Sequence, residues 1–518
     1  MDSIRYRLSF PAPHTHYMEV RADIPTAGRS DVELMMAVWT PGSYLIREYE
    51  RHVENVAAAD ESGTTLEVTK TRKNRWSFAT GGARQIVVTY RVYGREMSVR
   101  TNWIESGFAL INGAPTFLTL ADSQVRPHEI ALTLPSSWSR VMTSLPPIAG
   151  SPNCFRADSY DLLVDSPILA GNPAVYDFEI DGRLHRLVNE GDAGVFDGAR
   201  AAQDLAVIVR EQHRFWGTVP YNQWVCINLM TETGGGLEHA DSAVLMTSRW
   251  ATRTRKAYLG WLELASHELF HAWSGKRLRP SVLGPFDYER EAHTHSLWVV
   301  EGITDYYGDL LLHRAGLSTR DEFLASLSDK IEMLQTTPGR TVQSIANASF
   351  DAWIKHYRPD ENSPNTAISY YVKGAVVAFL LDFEIRRVSS GRRSLDDVMR
   401  AAYGQYSGAR GFTDREFRVL VEEIAGTSLD RFWSSALEGT GELDYTGPLE
   451  SAGLRFRIPS PEAGRTAGRA TLGAVTKIDA GRLVVSQVRR GTPAHEAGLN
   501  VDDEIVAIDE FRVRADQL

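Results

Sequence analysis

The 518-residue chain carries 56 Lys and Arg against 66 Asp and Glu, a formal charge of −10, and 43 % of its residues are apolar. An acidic balance argues against nucleic acid or an anionic membrane as partner, because both reward a basic face. Two cysteines, Cys154 and Cys226, lie far apart without CxxC spacing, which excludes a disulfide framework and a cysteine-built zinc site.

The first ten residues alternate polar and apolar and lack the apolar core of a signal peptide, and no apolar run is long enough to span a bilayer. A cytoplasmic protein is therefore expected. Over residues 1–175 the apolar pattern has period two (Tyr17–Val20, Val32–Val38, Leu66–Thr69, Trp76–Phe78, Ile86–Tyr93, Ile130–Leu134), punctuated by Pro, Gly, Asn and Asp. That pattern predicts an N-terminal antiparallel β domain, chiefly scaffold and substrate wall.

The period then changes. Ala199–Trp216 reads as a helix stopped by Gly217 and Pro220, and Tyr221–Met230 as an apolar strand. A glycine-rich stretch, Glu232-Thr-Gly-Gly235-Gly236-Leu-Glu238-His239, follows. A helix then carries His267-Glu268-Leu-Phe-His271, and a second helix runs from about Leu297 to Arg314. Residues 176–325 form the expected α+β catalytic domain and 326–445 a helical domain. Within the latter, Thr413-Asp-Arg-Glu416 is a capping box and Ser394 caps Leu395–Tyr403. Residues 446–468 read as a Pro/Gly/Ser/Arg-rich linker, and 469–518 as a small β-rich segment. The expected fold class is thus α+β multidomain.

Two histidines four apart lie one turn apart on one helical face and can reach one metal, with Glu268 rotated about 100° round the axis. A catalytic zinc needs three protein ligands and one open position. The best third ligand is Glu301, set among apolar residues in Leu297-Trp-Val-Val-Glu301-Gly-Ile-Thr-Asp305-Tyr-Tyr, because a buried glutamate demands a partner. Asp305, one turn further, is placed to orient a ligand histidine. His293 and His295 read as loop residues. With this donor set a zinc-held water has a pKa near 7, and Glu268 acts as general base. One Zn2+ per chain is expected.

These motifs resemble the gluzincin, thermolysin-like metallopeptidases, and more narrowly the glycyl aminopeptidase family. Further pieces of the resemblance are Trp39-Thr-Pro-Gly42-Ser-Tyr44 with Arg47, His271-Ala-Trp-Ser-Gly-Lys-Arg-Leu-Arg-Pro280, Phe350-Asp-Ala-Trp-Ile-Lys355 and Ser369-Tyr-Tyr-Val-Lys-Gly374. The resemblance implies a thermolysin-like catalytic domain and an aminopeptidase removing small N-terminal residues, Gly or Ala, from peptides with a free N-terminus. It gives Glu238 the substrate's α-amine, with Gly235 and Gly236 beside the substrate strand and Glu232 as a weaker candidate for the amine. It gives Tyr371 the oxyanion, with Tyr370 as the alternative. His239 departs from the Asn found in related enzymes.

The tail, Leu472-Gly473 through Gly491-Thr-Pro-Ala-His-Glu-Ala-Gly-Leu499, looks like a PDZ domain. It departs from the pattern at Asp502, and the groove's later helix would barely have begun, so a truncated PDZ-like domain is expected. Three other readings stay open: an endopeptidase of the same clan, a peptide-binding scaffold with a vestigial zinc site, and a zinc hydrolase of a non-peptide bond.

Overall fold

The alternation along the first 175 residues becomes strands, of which Ile4–Ser9, Gln85–Tyr93 and His128–Thr133 bury alternate residues. The computed structural model describes residues 2–122, 125–191, 193–457 and 471–514. It has two units: Met1–Ala292 with Tyr307–Thr319 and Ser407–Gly411, and His293–Tyr306 with Arg320–Tyr406 and Phe412–Leu518. Together they make a mixed α/β multidomain protein, β-rich at the N-terminus and helical toward the C-terminus.

In the first unit, a seven-stranded sheet runs in the order Cys154–Ala157, His128–Thr133, Ile4–Ser9, Tyr17–Pro25, Gln85–Tyr93, Val53–Asp60, Thr65–Leu66. Ile4–Ser9 pairs parallel to His128–Thr133, and its other edge pairs antiparallel to Tyr17–Pro25. Two four-stranded sheets accompany it. One apolar core joins the inward residues, among them Tyr6, Val20, Leu34, Phe78 and Val88.

A five-stranded sheet follows, in the order Ala174–Ile180, Arg183–Glu190, Gln223–Met230, Ser242–Thr247, Gly235–Glu238. Gln223–Met230 pairs parallel on both sides. Seven of its eight residues are buried, the continuous apolar run that a doubly covered parallel strand requires. Gly235–Glu238 runs antiparallel to Ser242–Thr247 and forms the sheet edge. The helix Gly198–Trp216 opens on Asp197, whose carboxylate accepts the Arg200 amide at 3.1 Å, and closes on Gly217 in the left-handed region.

Burial shifts several titrations in this unit, His185 and His128 among them. His185 lies fully buried, and desolvation pulls its imidazole down to about 4 from an ordinary value near 6.5. The unfolded chain therefore binds more protons between those values, so stability is intact above pH 6.5 and falls as pH drops toward 4. The expected loss across that window is roughly 3 kcal/mol. Urea midpoints at pH 7 and pH 5 should converge in His185→Gln relative to the parent; an unchanged difference would refute the assignment.

In the second unit, the helices Arg320–Thr336, Val372–Val388, Leu395–Tyr406 and Asp414–Ala425 dominate. The capping box is present: Thr413 Oγ1 accepts the Glu416 amide at 3.2 Å, and the Thr413 amide donates to Glu416 Oε2 at 2.8 Å. Ser394 behaves differently from expectation. Its hydroxyl and amide both donate to Asp397 Oδ2, at 3.3 and 2.9 Å, while Asp382 Oδ1 accepts the Leu395 amide at 2.8 Å. A carboxylate from the first turn and another from a neighbouring helix replace the serine cap. The expected linker opens instead with a helix, Thr446–Ser451, whose Pro448 and Leu449 are buried; residues 458–470 lie outside the described residues. The tail forms two β-hairpins and the short helix Pro493–Glu496. Asn365 holds it by donating to the Val488 carbonyl at 2.9 Å and accepting the Arg490 amide at 2.8 Å. No helix among the described residues is long and apolar enough to cross a membrane.

Candidate functional site

The histidine-bearing helix spans Arg255–Phe270, started by Thr254, whose hydroxyl accepts the Ala257 amide at 3.2 Å. His271 is its C-terminal cap residue, so the second histidine sits where the helix ends. Its Nδ1–H donates to the Ser274 carbonyl at 2.8 Å, which leaves Nε2 presenting a lone pair. That Nε2 lies 3.0 Å from His267 Nε2. Two nitrogens on one tetrahedral zinc stand ~3.3 Å apart, so this spacing suits a shared metal.

Glu301 occupies a π-helical turn, Trp298–Gly302, that leads into the helix Ile303–Arg314. Such turns insert one residue into a helix and gather at functional sites. Glu301 is 2 % exposed. One ligand atom each from His267, His271 and Glu301 lie within 4.8 Å of one another, and the two-nitrogen, one-oxygen set fits zinc. The far half of that helix is anchored beside the histidines: Tyr307 stacks on Phe270 with ring centroids 5.1 Å apart. The near end is fixed by a backbone contact, since a Cβ on Gly302 would lie 2.4 Å from Gly374 Cα.

A second group gathers around the same histidine. Glu238, Glu268 and His271 also bring ligand atoms within 4.8 Å of one another, all three buried. Glycine makes this approach possible. Gly235 has φ +139°, a conformation costly for other residues. A Cβ on Gly236 would fall 2.0 Å from Glu268 Oε1, so the edge strand runs directly against the Glu268 carboxylate. Gly236→Ala should displace that carboxylate. A shift of ~1 Å costs about a hundredfold in kcat, and zinc content should be unchanged. Full turnover in a folded variant would overturn this.

The segments that follow Glu238 and His271 are tied together. Asp165 accepts from Lys276 Nζ at 2.6 Å, His239 Nδ1–H at 3.1 Å and the Ala240 amide at 2.9 Å. Burial alone would raise the Asp165 carboxyl, but the Lys276 and His239 charges outweigh it and hold it at about 2. Arg277 adds bonds to the carbonyls of Ala240 (2.8 Å) and Ala272 (2.7 Å) and to Asp241 (2.7 Å). Thus His239, the departure from Asn, turns to Asp165.

Other expected residues are placed as follows. Glu232 is exposed, apart from the buried Glu238. His293 and His295 face the carbonyls of Phe350 and Ala346 at 3.0 and 3.2 Å. Asp305 stands 3.5 Å from Lys330. Tyr371 precedes the helix Val372–Val388 and is half-buried, stacked 4.8 Å from the fully buried Tyr370 and 5.4 Å from His356. Sequence reasoning gave no role to Asp165, since it acts through contacts distant in sequence.

Two protein-family descriptions match the chain. Residues 5–172 match the peptidase M61 N-terminal domain, and residues 260–377 match the M61 glycyl aminopeptidase domain. A crystal structure of an aminopeptidase N family protein from Idiomarina loihiensis is 30 % identical, with TM-score 0.92 over 99 % of this chain and 90 % of that one. The chain belongs to the M61 glycyl aminopeptidase family. An M1 zinc metallopeptidase from Deinococcus radiodurans shares the fold at 14 % identity and TM-score 0.55, over 86 % of this M61 chain and 95 % of that one. A point mutant of that enzyme aligns at 15 % identity and TM-score 0.54, over the same shares. No curated protein matches the M61 chain by sequence. Family membership makes it a peptide hydrolase, with peptides as substrates, and the donor set of His267, His271 and Glu301 fits zinc as the expected metal.

Proposed function

We propose that the chain is an aminopeptidase that removes small N-terminal residues, Gly or Ala, from peptides, with one zinc held by His267, His271 and Glu301. The observation that carries this reading is the surplus carboxylate. Three donors suffice for the metal, yet Glu238 and Glu268 both crowd His271. One of them serves proton transfer, and the other suits a substrate's ammonium group.

When bound, zinc supplies Lewis-acid activation of water and of the scissile carbonyl. Glu268 takes the proton of the attacking water and hands it to the leaving amine. Glu238 holds the α-ammonium, which fixes the N-terminal residue and makes the first peptide bond the one cleaved. Gly235 and Gly236, on an open sheet edge, let a substrate backbone approach closely. The Tyr371 hydroxyl donates to the developing oxyanion, a role for which half-burial suits it better than the enclosed Tyr370. Asp305 helps orient a ligand histidine. The tail is read as a PDZ-like module.

The test is a panel of Gly, Ala, Leu and Phe reporter amides, each with a free or acetylated N-terminus, assayed with and without chelator. Free Gly and Ala substrates should dominate, and chelation should abolish their turnover. Equal cleavage of acetylated substrates would make the enzyme an endopeptidase. Absence of stoichiometric zinc on metal analysis of the purified protein would favour a peptide-binding scaffold.

A further inference from the structure

The turn Trp39–Tyr44 lies some two hundred residues before Glu238 in sequence, and its glycine meets that carboxylate. Gly42 has φ +87°, and a Cβ there would stand 2.5, 2.6 and 2.7 Å from Oε1, Oε2 and Cδ of Glu238. All three near atoms belong to the carboxylate group and none to the aliphatic stem. The backbone of the turn therefore abuts the functional end of the side chain.

The turn is held firmly. The Ser43 amide donates to the Thr40 carbonyl at 3.1 Å, and the Arg47 amide to Val38 at 2.8 Å. Arg47 Nη2 donates to Ser43 Oγ at 2.9 Å, with Ser43 fully buried. Trp39 is fully buried too, and its indole N–H donates to the Asp287 carbonyl at 2.8 Å. A wall pinned at both ends cannot retreat from a carboxylate pressed against it, so the carboxylate's rotamer is set by the wall.

We infer that Gly42 is a positioning residue for amine recognition: the Trp39–Tyr44 turn of the N-terminal β region backs Glu238 and fixes where its carboxylate receives a primary ammonium. This rests on the reading that Glu238 binds the amine. The β region then takes part in substrate recognition beyond its role as scaffold. A methyl group at Gly42 forces the carboxylate out of its seat, and the loss falls on ligands that carry an amine. Metal binding and the other contacts of a ligand are spared.

The probes are glycine hydroxamate, which has the amine, and acetohydroxamate, which has the same metal-binding group without it. The readout is the ratio of their inhibition constants, measured beside zinc content and thermal unfolding. Gly42→Ala should reduce the amine preference by about tenfold, the scale of one charge-assisted hydrogen bond. Acetohydroxamate affinity should hold within about twofold, a change too small for a lost hydrogen bond. Ser43→Ala, which only releases the Arg47 clamp, should shift the ratio the same way by a smaller factor and decides the matter if Gly42→Ala does not fold. Adding Glu238→Asp to Gly42→Ala withdraws the carboxylate by one methylene and should restore part of the preference. A wild-type ratio in folded Gly42→Ala, or in Ser43→Ala where Gly42→Ala does not fold, overturns the proposal. A wild-type ratio in Glu238→Ala would instead overturn the role of Glu238 itself, so the two failures are distinct.

Discussion

Glu268→Gln is expected to keep zinc bound while kcat falls by about 10²–10⁴-fold, the usual worth of a positioned general base. Gln keeps the volume of the side chain and removes only its ability to accept a proton. Glu268 belongs to no part of the His267, His271, Glu301 donor set, so metal content should not move. It is 5 % exposed, and the backbone of Gly236 runs against its carboxylate. Metal analysis and steady-state kinetics on the same preparation read both halves. Near-normal kcat with full zinc would remove Glu268 from the mechanism; normal kcat per zinc with depleted metal would make it a ligand.

Glu301→Gln should act the other way, on affinity before chemistry. A catalytic zinc with three protein ligands loses its one anionic donor, while the two histidines remain 3.0 Å apart at their Nε2 atoms. Partners outside the coordination sphere already cost about 10–100-fold in metal affinity when removed, and a direct ligand should cost more. Competition against a chromogenic chelator gives the dissociation constant. Activity should return in part at high zinc concentration, which a folding defect would not allow. An unchanged dissociation constant would mean that another residue completes the site.

Local signals reached the residues that lie on regular elements. The helix Gly198–Trp216 was legible from its periodicity and its terminal Gly217, and the capping box from Thr413 and Glu416, because each depends on neighbours within a turn. The histidine pair was legible for a related reason, because helical spacing fixes which side chains share a face, and Glu301 stood out as a carboxylate set in an apolar run. Contacts distant in sequence were not. Nothing near Asp165 in sequence announces that it gathers Lys276, His239 and the Ala240 amide, and nothing near Gly42 announces Glu238. The Ser394 cap went astray in part for the same reason: its hydroxyl turns to Asp397 in the first turn, and the Leu395 amide is taken by Asp382 from another helix. Segment 446–468 was misjudged at its start, where composition suggested a linker but Pro448 and Leu449 are buried.

The π-helical turn at Trp298–Gly302 makes the placement of Glu301 a matter of counting as much as of chemistry. Each residue in a helix turns the face by about 100°. Deleting one apolar residue there, Val299 or Val300, would regularise the backbone into an ordinary helix, change its hydrophobicity little, and still swing the carboxylate a quarter-turn or more from the histidines. Alignments that score residue identity alone would rate such a chain as intact. An insertion or deletion across these five positions is therefore a better sign of a lost catalytic site than many substitutions within them.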